Sequence, residues 1–152
     1  MKNKKIIIIG IVIFILLLTS GLIFYKSYTE KQYEKLTVKE KFEKHDYSYV
    51  NDGDYIKKLN ATDYYLFNLN SLVPYFTVEV NGQYELYFFQ NDWANIKNCE
   101  YDFKKNKERD DTVCSENQIE KLTSLKTIFN DELKNIKITI DDLLKKNIED
   151  TN

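Results

Sequence analysis

Residues 75–89 read YFTVEVNGQYELYFF, two runs rich in β-branched and aromatic residues on either side of Asn81-Gly82. The pattern predicts a β-hairpin, and the loop type decides which side chains share a face. A two-residue Asn-Gly turn sets Val78 opposite Glu85 and Phe76 opposite Tyr87, which puts an acid into the apolar row. A three-residue loop, Val80-Asn81-Gly82, with Gly82 left-handed in a bulge, pairs Val78 with Tyr84 and Phe76 with Leu86 instead. The second register keeps the acid out and is the one expected. Phe76, Val78, Tyr84, Leu86 and Phe88 then form the core face. Tyr75, Thr77, Glu79, Gln83, Glu85 and Tyr87 face outward, with Tyr75 and Tyr87 opposed across the strands.

Weaker strand signals flank the hairpin at residues 64–69 and 98–103, and residues 136–140, IKITI, alternate cleanly. The clearest helix is residues 115–135, where Ile119, Leu122, Leu125, Ile128, Phe129 and Leu133 recur at the helical period. Ser115 followed by Gln118 has the spacing of a capping box at its start. A second short helix is expected over residues 141–149, with Leu143, Leu144 and Ile148 on one side. The fold class is therefore α+β, a small antiparallel sheet covered by one amphipathic helix. Cys99 and Cys114 are the only cysteines; a bridge between them staples sheet to helix across a loop that includes the polar run Lys104 to Asp111.

The amino-terminal part has a different character. Residues 6–25, IIIIGIVIFILLLTSGLIFY, contain no charge, and about 20 residues of helix suffice to cross a hydrocarbon core of about 30 Å. They are expected to form a single transmembrane signal-anchor helix, with the lipid bilayer as its partner. The competing reading is a cleaved signal peptide, a Lys-rich start and an apolar stretch ending at Thr19-Ser20-Gly21. Lys2, Lys4 and Lys5 place residues 1–5 in the cytoplasm and everything beyond the span outside, where a disulfide persists. Tyr25 and Tyr28 sit at the expected outer interface. Residues 26–45, charged and lacking Gly and Pro, continue as a helical stalk, with His45 at its end. Residues 46–152 are then the extracytoplasmic α+β domain.

Composition narrows the chemistry. Of 22 basic residues, four lie at or before Lys26, leaving 18 against 24 acidic ones, a net of −6 that does not suit nucleic acid. His45 is the only histidine, so Ser or Cys nucleophilic catalysis lacks its usual base. Outside the apolar run only Gly53 and Gly82 occur, too few for a phosphate-cradling loop. Two Cys and one His fall short of a zinc site, and the turn at Asn51-Asp52-Gly53-Asp54 does not meet the calcium-loop pattern. No metal or cofactor is expected. Asn60-Ala61-Thr62 matches a glycosylation sequon, to which no function is assigned.

The remaining clue is aromatic. Sixteen Tyr, Phe or Trp residues fall between Phe42 and Phe103, more than one small sheet and helix are expected to bury. The expected function is a non-catalytic binding or interaction module, anchored in the membrane of a bacterial cell envelope. Its surface comprises Tyr75, Tyr87, Lys104, Lys105, Lys107 and Arg109, and its partner is another envelope protein or a cell-wall glycan. The bacterial assignment rests on 52 Ile, Lys or Asn residues, which suit an AT-rich genome. The alternatives are an envelope hydrolase using a carboxylate pair, such as Glu79 with Glu85, and a cleaved secreted effector.

Overall fold

A computed structural model describes residues 2–50 and 53–149, the side chains of 2–10, 12 and 146–149 excepted. The chain divides into two units, Met1–Thr37 and Val38–Asn152. The first is one helix, α1 (Lys2–Glu34). Inside it the Thr19 hydroxyl donates to the Leu16 carbonyl at 3.0 Å and the Ser20 hydroxyl to Leu17 at 3.0 Å, so neither polar group needs an outside partner. Among the described residues no helix is long and apolar enough to cross a membrane. The reading of residues 6–25 as a span therefore rests on their sequence.

The stalk predicted over residues 26–45 is shorter than expected. Helix α1 stops at Glu34, and α2 (Val38–Glu43) begins afresh after Thr37, which stands at capping-box spacing from Glu40. The reason lies in Phe42. Its ring is fully buried and stacks on Tyr55 at 4.1 Å, and sinking a side chain of that size is worth about 2 kcal/mol, more than one further turn of solvated helix gives. Val38 onward thus belongs to the folded unit, whose boundary moves back from residue 46.

That unit holds an eight-stranded antiparallel sheet whose spatial order follows the chain: β1 (Ser48–Val50), β2 (Asp54–Lys58), β3 (Tyr64–Asn68), β4 (Tyr75–Val80), β5 (Gln83–Phe88), β6 (Trp93–Ile96), β7 (Cys99–Asp102) and β8 (Lys107–Glu108). Asn51 and Asp52 of the predicted first turn lie outside the described residues; Gly53 after them has φ 133°, a value that favours glycine. Helices α3 (Glu116–Ile136) and α4 (Ile140–Glu149) complete the unit. The capping box at Ser115 is present as the sequence suggests, each of Ser115 and Gln118 satisfying the other's backbone amide. The alternating residues 136–140 are not a strand. Ile136 ends α3, Lys137 takes the left-handed cap at φ 55°, and Thr139 caps α4, with the Asp142 amide donating to its hydroxyl at 3.2 Å. Ile136 and Ile138 alternate inward because a tight link joins two helices there.

The β4–β5 register is the rejected one. Val80 faces Gln83, Val78 faces Glu85 and Phe76 faces Tyr87, joined by a two-residue turn in which Asn81 and Gly82 have φ 53° and 72°. Positive φ at both central residues gives the turn whose twist matches the flanking strands. Tyr87 can point inward because its hydroxyl donates to Asp92 Oδ1 at 2.7 Å, and Asp92 in turn pairs with Lys126 at 2.7 Å. Glu85 is tolerated in the apolar row because it is only half-buried. The helix-side row therefore runs Tyr55, Phe67, Phe76, Tyr87, Ala94, Tyr101 across the sheet.

Phe129 of α3 is the knob that fills this face. Its ring lies 5.9 Å from Phe67, 5.6 Å from Phe76, 5.0 Å from Tyr87 and 5.1 Å from Phe89, the last stacked in parallel. Cys99 and Cys114 are bridged, with Cα atoms 5.0 Å apart, which ties the first residue of β7 to the residue before the α3 cap. Phe129→Ala is expected to lower the unfolding free energy by about 3–5 kcal/mol in a denaturant titration. A loss below about 1 kcal/mol would mean that α3 does not seat on this row.

Candidate functional site

The helix covers one face of the sheet only. On the other, Ile56, Leu66, Thr77, Leu86 and Asn95 form a central row in mutual register. Beside it Tyr64, Glu79 and Tyr84 line up across three strands. Burial, then hydrogen bonding to Glu79, raises the Tyr64 phenol well above its usual range.

Toward the opposite end of this face the rings form a ladder. Tyr75 approaches Phe88 at 5.7 Å, Phe88 stacks on Trp93 at 3.9 Å with planes 10° apart, and the Arg109 guanidinium lies 4.1 Å from the Trp93 ring centre. A phenyl ring and a guanidinium at these distances cannot share one side of an indole, so Trp93 is sandwiched. The guanidinium consequently keeps its plane, and with it the direction of its donor fork. Asp110 lies 3.8 Å from Arg109 and is 77% exposed, a long, solvated pair of little strength.

The backbone beneath Arg109 is held as firmly. Its amide donates to the Glu100 carbonyl at 2.9 Å, and its own carbonyl accepts from the Thr112 hydroxyl at 2.7 Å. Five residues past Arg109, the Cys114 amide donates to Glu108 Oε1 at 2.9 Å, and the disulfide closes the segment onto β7. The β7–β8 turn is shaped by Asp102, which accepts from the Lys105 amide at 3.0 Å and pairs with its ammonium at 3.3 Å. The Lys105 amide, with smaller help from that ammonium, holds the Asp102 carboxyl below its usual range. Asn91, Trp93, Asp102, Lys104, Lys105 and Arg109 line one open cleft of about 270 Å³.

Of the predicted surface residues, Tyr75 lies on the open face, and Lys104, Lys105 and Arg109 converge on this cleft. Lys107 is exposed on β8 in register with Asp102 but does not line the cleft. Tyr87 is a correction: it is 3% exposed, packs on Phe129 and cannot form a surface with Tyr75, because the two-residue turn sends it to the helix side. Its place opposite Tyr75 is taken by Phe88. The pair Glu79 and Glu85 is likewise split, Glu79 on the open face and Glu85 on the helix face, so it cannot flank one bond. Trp93 and Phe88 were not expected at the site. Their signal was the other register of YELYFF, which exposes Phe88 and with it the neighbour it stacks on.

Two other polar sites lie on the helix side. Glu132 is buried and accepts from the Tyr47 hydroxyl at 2.8 Å and from Lys57 Nζ at 3.2 Å, tying α3 to β2. Burial, then the Glu132 charge, raises the Tyr47 phenol far above its usual range. A cleft of about 600 Å³ separates the β4–β5 turn from the first half of α3 and contains Glu85 and Lys121. No family model matches this chain, and no curated protein or solved structure is detectably similar to it.

Burial raises the Glu85 carboxyl above its usual range, and Lys121 only partly opposes the shift. The charged form is thus penalised in the folded state but not in the unfolded chain. The penalty is complete above the folded pKa and vanishes below the unfolded one, near pH 4. Glu85→Gln should therefore be the more stable protein at neutral pH by thermal melting, with the advantage fading as pH falls through that range. A Gln variant less stable at pH 7 would show that Lys121 outweighs burial.

Proposed function

We propose that this chain is a membrane-anchored, extracytoplasmic binding module of a bacterial cell envelope, non-catalytic, with the open sheet face as its binding surface. The observation that carries the anchor is the uncharged apolar run of residues 6–25. Within α1, six consecutive apolar residues, Ile13 to Leu18, are each more than half exposed. Water would make that surface costly, whereas lipid solvates it. Lys2, Lys4 and Lys5 ahead of the run favour a cytoplasmic amino terminus. The bridged cysteines fit the oxidising side for Val38 and beyond.

The binding role rests on the open face. Tyr75, Phe88, Trp93 and Arg109 combine apolar rings with a held cation, the composition typical of recognition surfaces. The partner read from this surface is another envelope protein or a cell-wall glycan. A photoreactive residue at position 75 should give crosslinks in native membranes that the same residue at position 87, on the helix face, does not. Protease added to intact cells should digest the carboxyl-terminal unit. Identical crosslinks from both positions would remove the surface, and a unit protected in intact cells but digested after lysis would invert the topology.

A further inference from the structure

We infer that the cleft lined by Trp93, Lys104 and Arg109 is an oxyanion site that takes a carboxylate or phosphate group of an acidic glycan. The inference rests on the open face being the binding surface and assigns it a ligand chemistry. Three cations and one carboxylate line the cleft, in a chain whose net charge is −2, so the local sign is opposite to that of the whole. The carboxylate, Asp102, is already occupied by the Lys105 amide and ammonium. Lys104 and Arg109 remain for a ligand: among the described residues Lys104 makes no ion pair, and Arg109 has only its exposed neighbour Asp110.

Pre-organisation is what separates this cleft from an ordinary basic turn. Part of an arginine's cost in binding an anion is the ordering of its side chain. Here stacking on Trp93 and the pinned segment from Arg109 to Cys114 reduce that cost before the ligand arrives. The guanidinium fork matches two oxygens of a carboxylate or phosphate, and Lys104 adds a point charge.

The setting favours a sugar over an acidic peptide. Strand addition needs a long free edge, and β8, the edge strand here, has two residues. The cleft is short and lies against Trp93, with the Asn91 amide to meet a hydroxyl.

Trp93 is the only tryptophan in the chain, so its fluorescence reports the site directly. The full chain in detergent micelles would be titrated with galacturonate oligomers, glucose 6-phosphate, glucose and tetraglutamate. A saturable change with the carboxylate or the phosphate sugar is expected, and the two arms decide which oxyanion is preferred. Glucose should give none. Arg109→Gln should weaken binding about tenfold or more, Arg109→Lys nearly as much because it keeps the charge but loses the fork, and Lys104→Gln severalfold. The inference is overturned by equal binding of glucose, by unchanged binding in both Arg109→Gln and Lys104→Gln, by saturation with tetraglutamate alone, or by no saturation in any arm. If no sugar binds while crosslinks from position 75 persist, the binding surface stands and the oxyanion site falls; loss of both removes both.

Discussion

Two left-handed residues, Asn81 and Gly82, close the hairpin at the centre of the sheet and thereby set its sidedness. A strand shifted by one residue exchanges its faces, so the turn decides whether Tyr87 or Phe88 meets the helix. With Tyr87 inward, Phe129 of α3 finds four rings around it, and the sheet has a face to bury. With Phe88 outward, Trp93 gains a stacking partner, and through Trp93 the Arg109 guanidinium acquires its plane. Core and candidate site are thus two consequences of one backbone geometry.

A core so rich in tyrosine is stable only if its hydroxyls are answered. Tyr87 donates to Asp92, Tyr47 to Glu132 and Tyr101 to Asn106, each at 2.7 or 2.8 Å. Both carboxylates also receive a lysine, Lys126 on Asp92 and Lys57 on Glu132. The sheet therefore absorbs more aromatic surface than its size suggests. The rings on the open face are the ladder of Tyr75, Phe88 and Trp93 at one end and Tyr64 and Tyr84 at the other. The disulfide fits the same logic, since it fixes the segment that aims Arg109 as well as tying β7 to α3.

Local chemistry was legible in the sequence wherever it acted alone. The α3 cap, its buried stripe, the hairpin and the Cys99–Cys114 bridge follow from spacing and residue type. The register did not, because Glu85 was judged by its charge. The sheet tolerates that carboxylate beside an open cleft, with Lys121 nearby, and the turn's twist outweighs its cost. Strands β1, β6 and β8, of two to four residues, carry too little alternation to be read without neighbours. Residues 136–140 show the converse, a strand-like alternation produced by a helix cap between two helices. Among the site residues, the Lys and Arg positions were visible as a charge run, but Trp93 depends on the register and could not be placed without it.

The pairing of β4 with β5 can be measured directly by nuclear Overhauser contacts in the full chain. The account predicts backbone contacts between Val78 and Glu85 and between Phe76 and Tyr87, together with ring contacts from Tyr87 to Phe129 and from Phe88 to Trp93. Contacts of Val78 with Tyr84 and of Phe76 with Leu86, with the Phe88 ring against Phe129, would place the opposite side chains inside and contradict it.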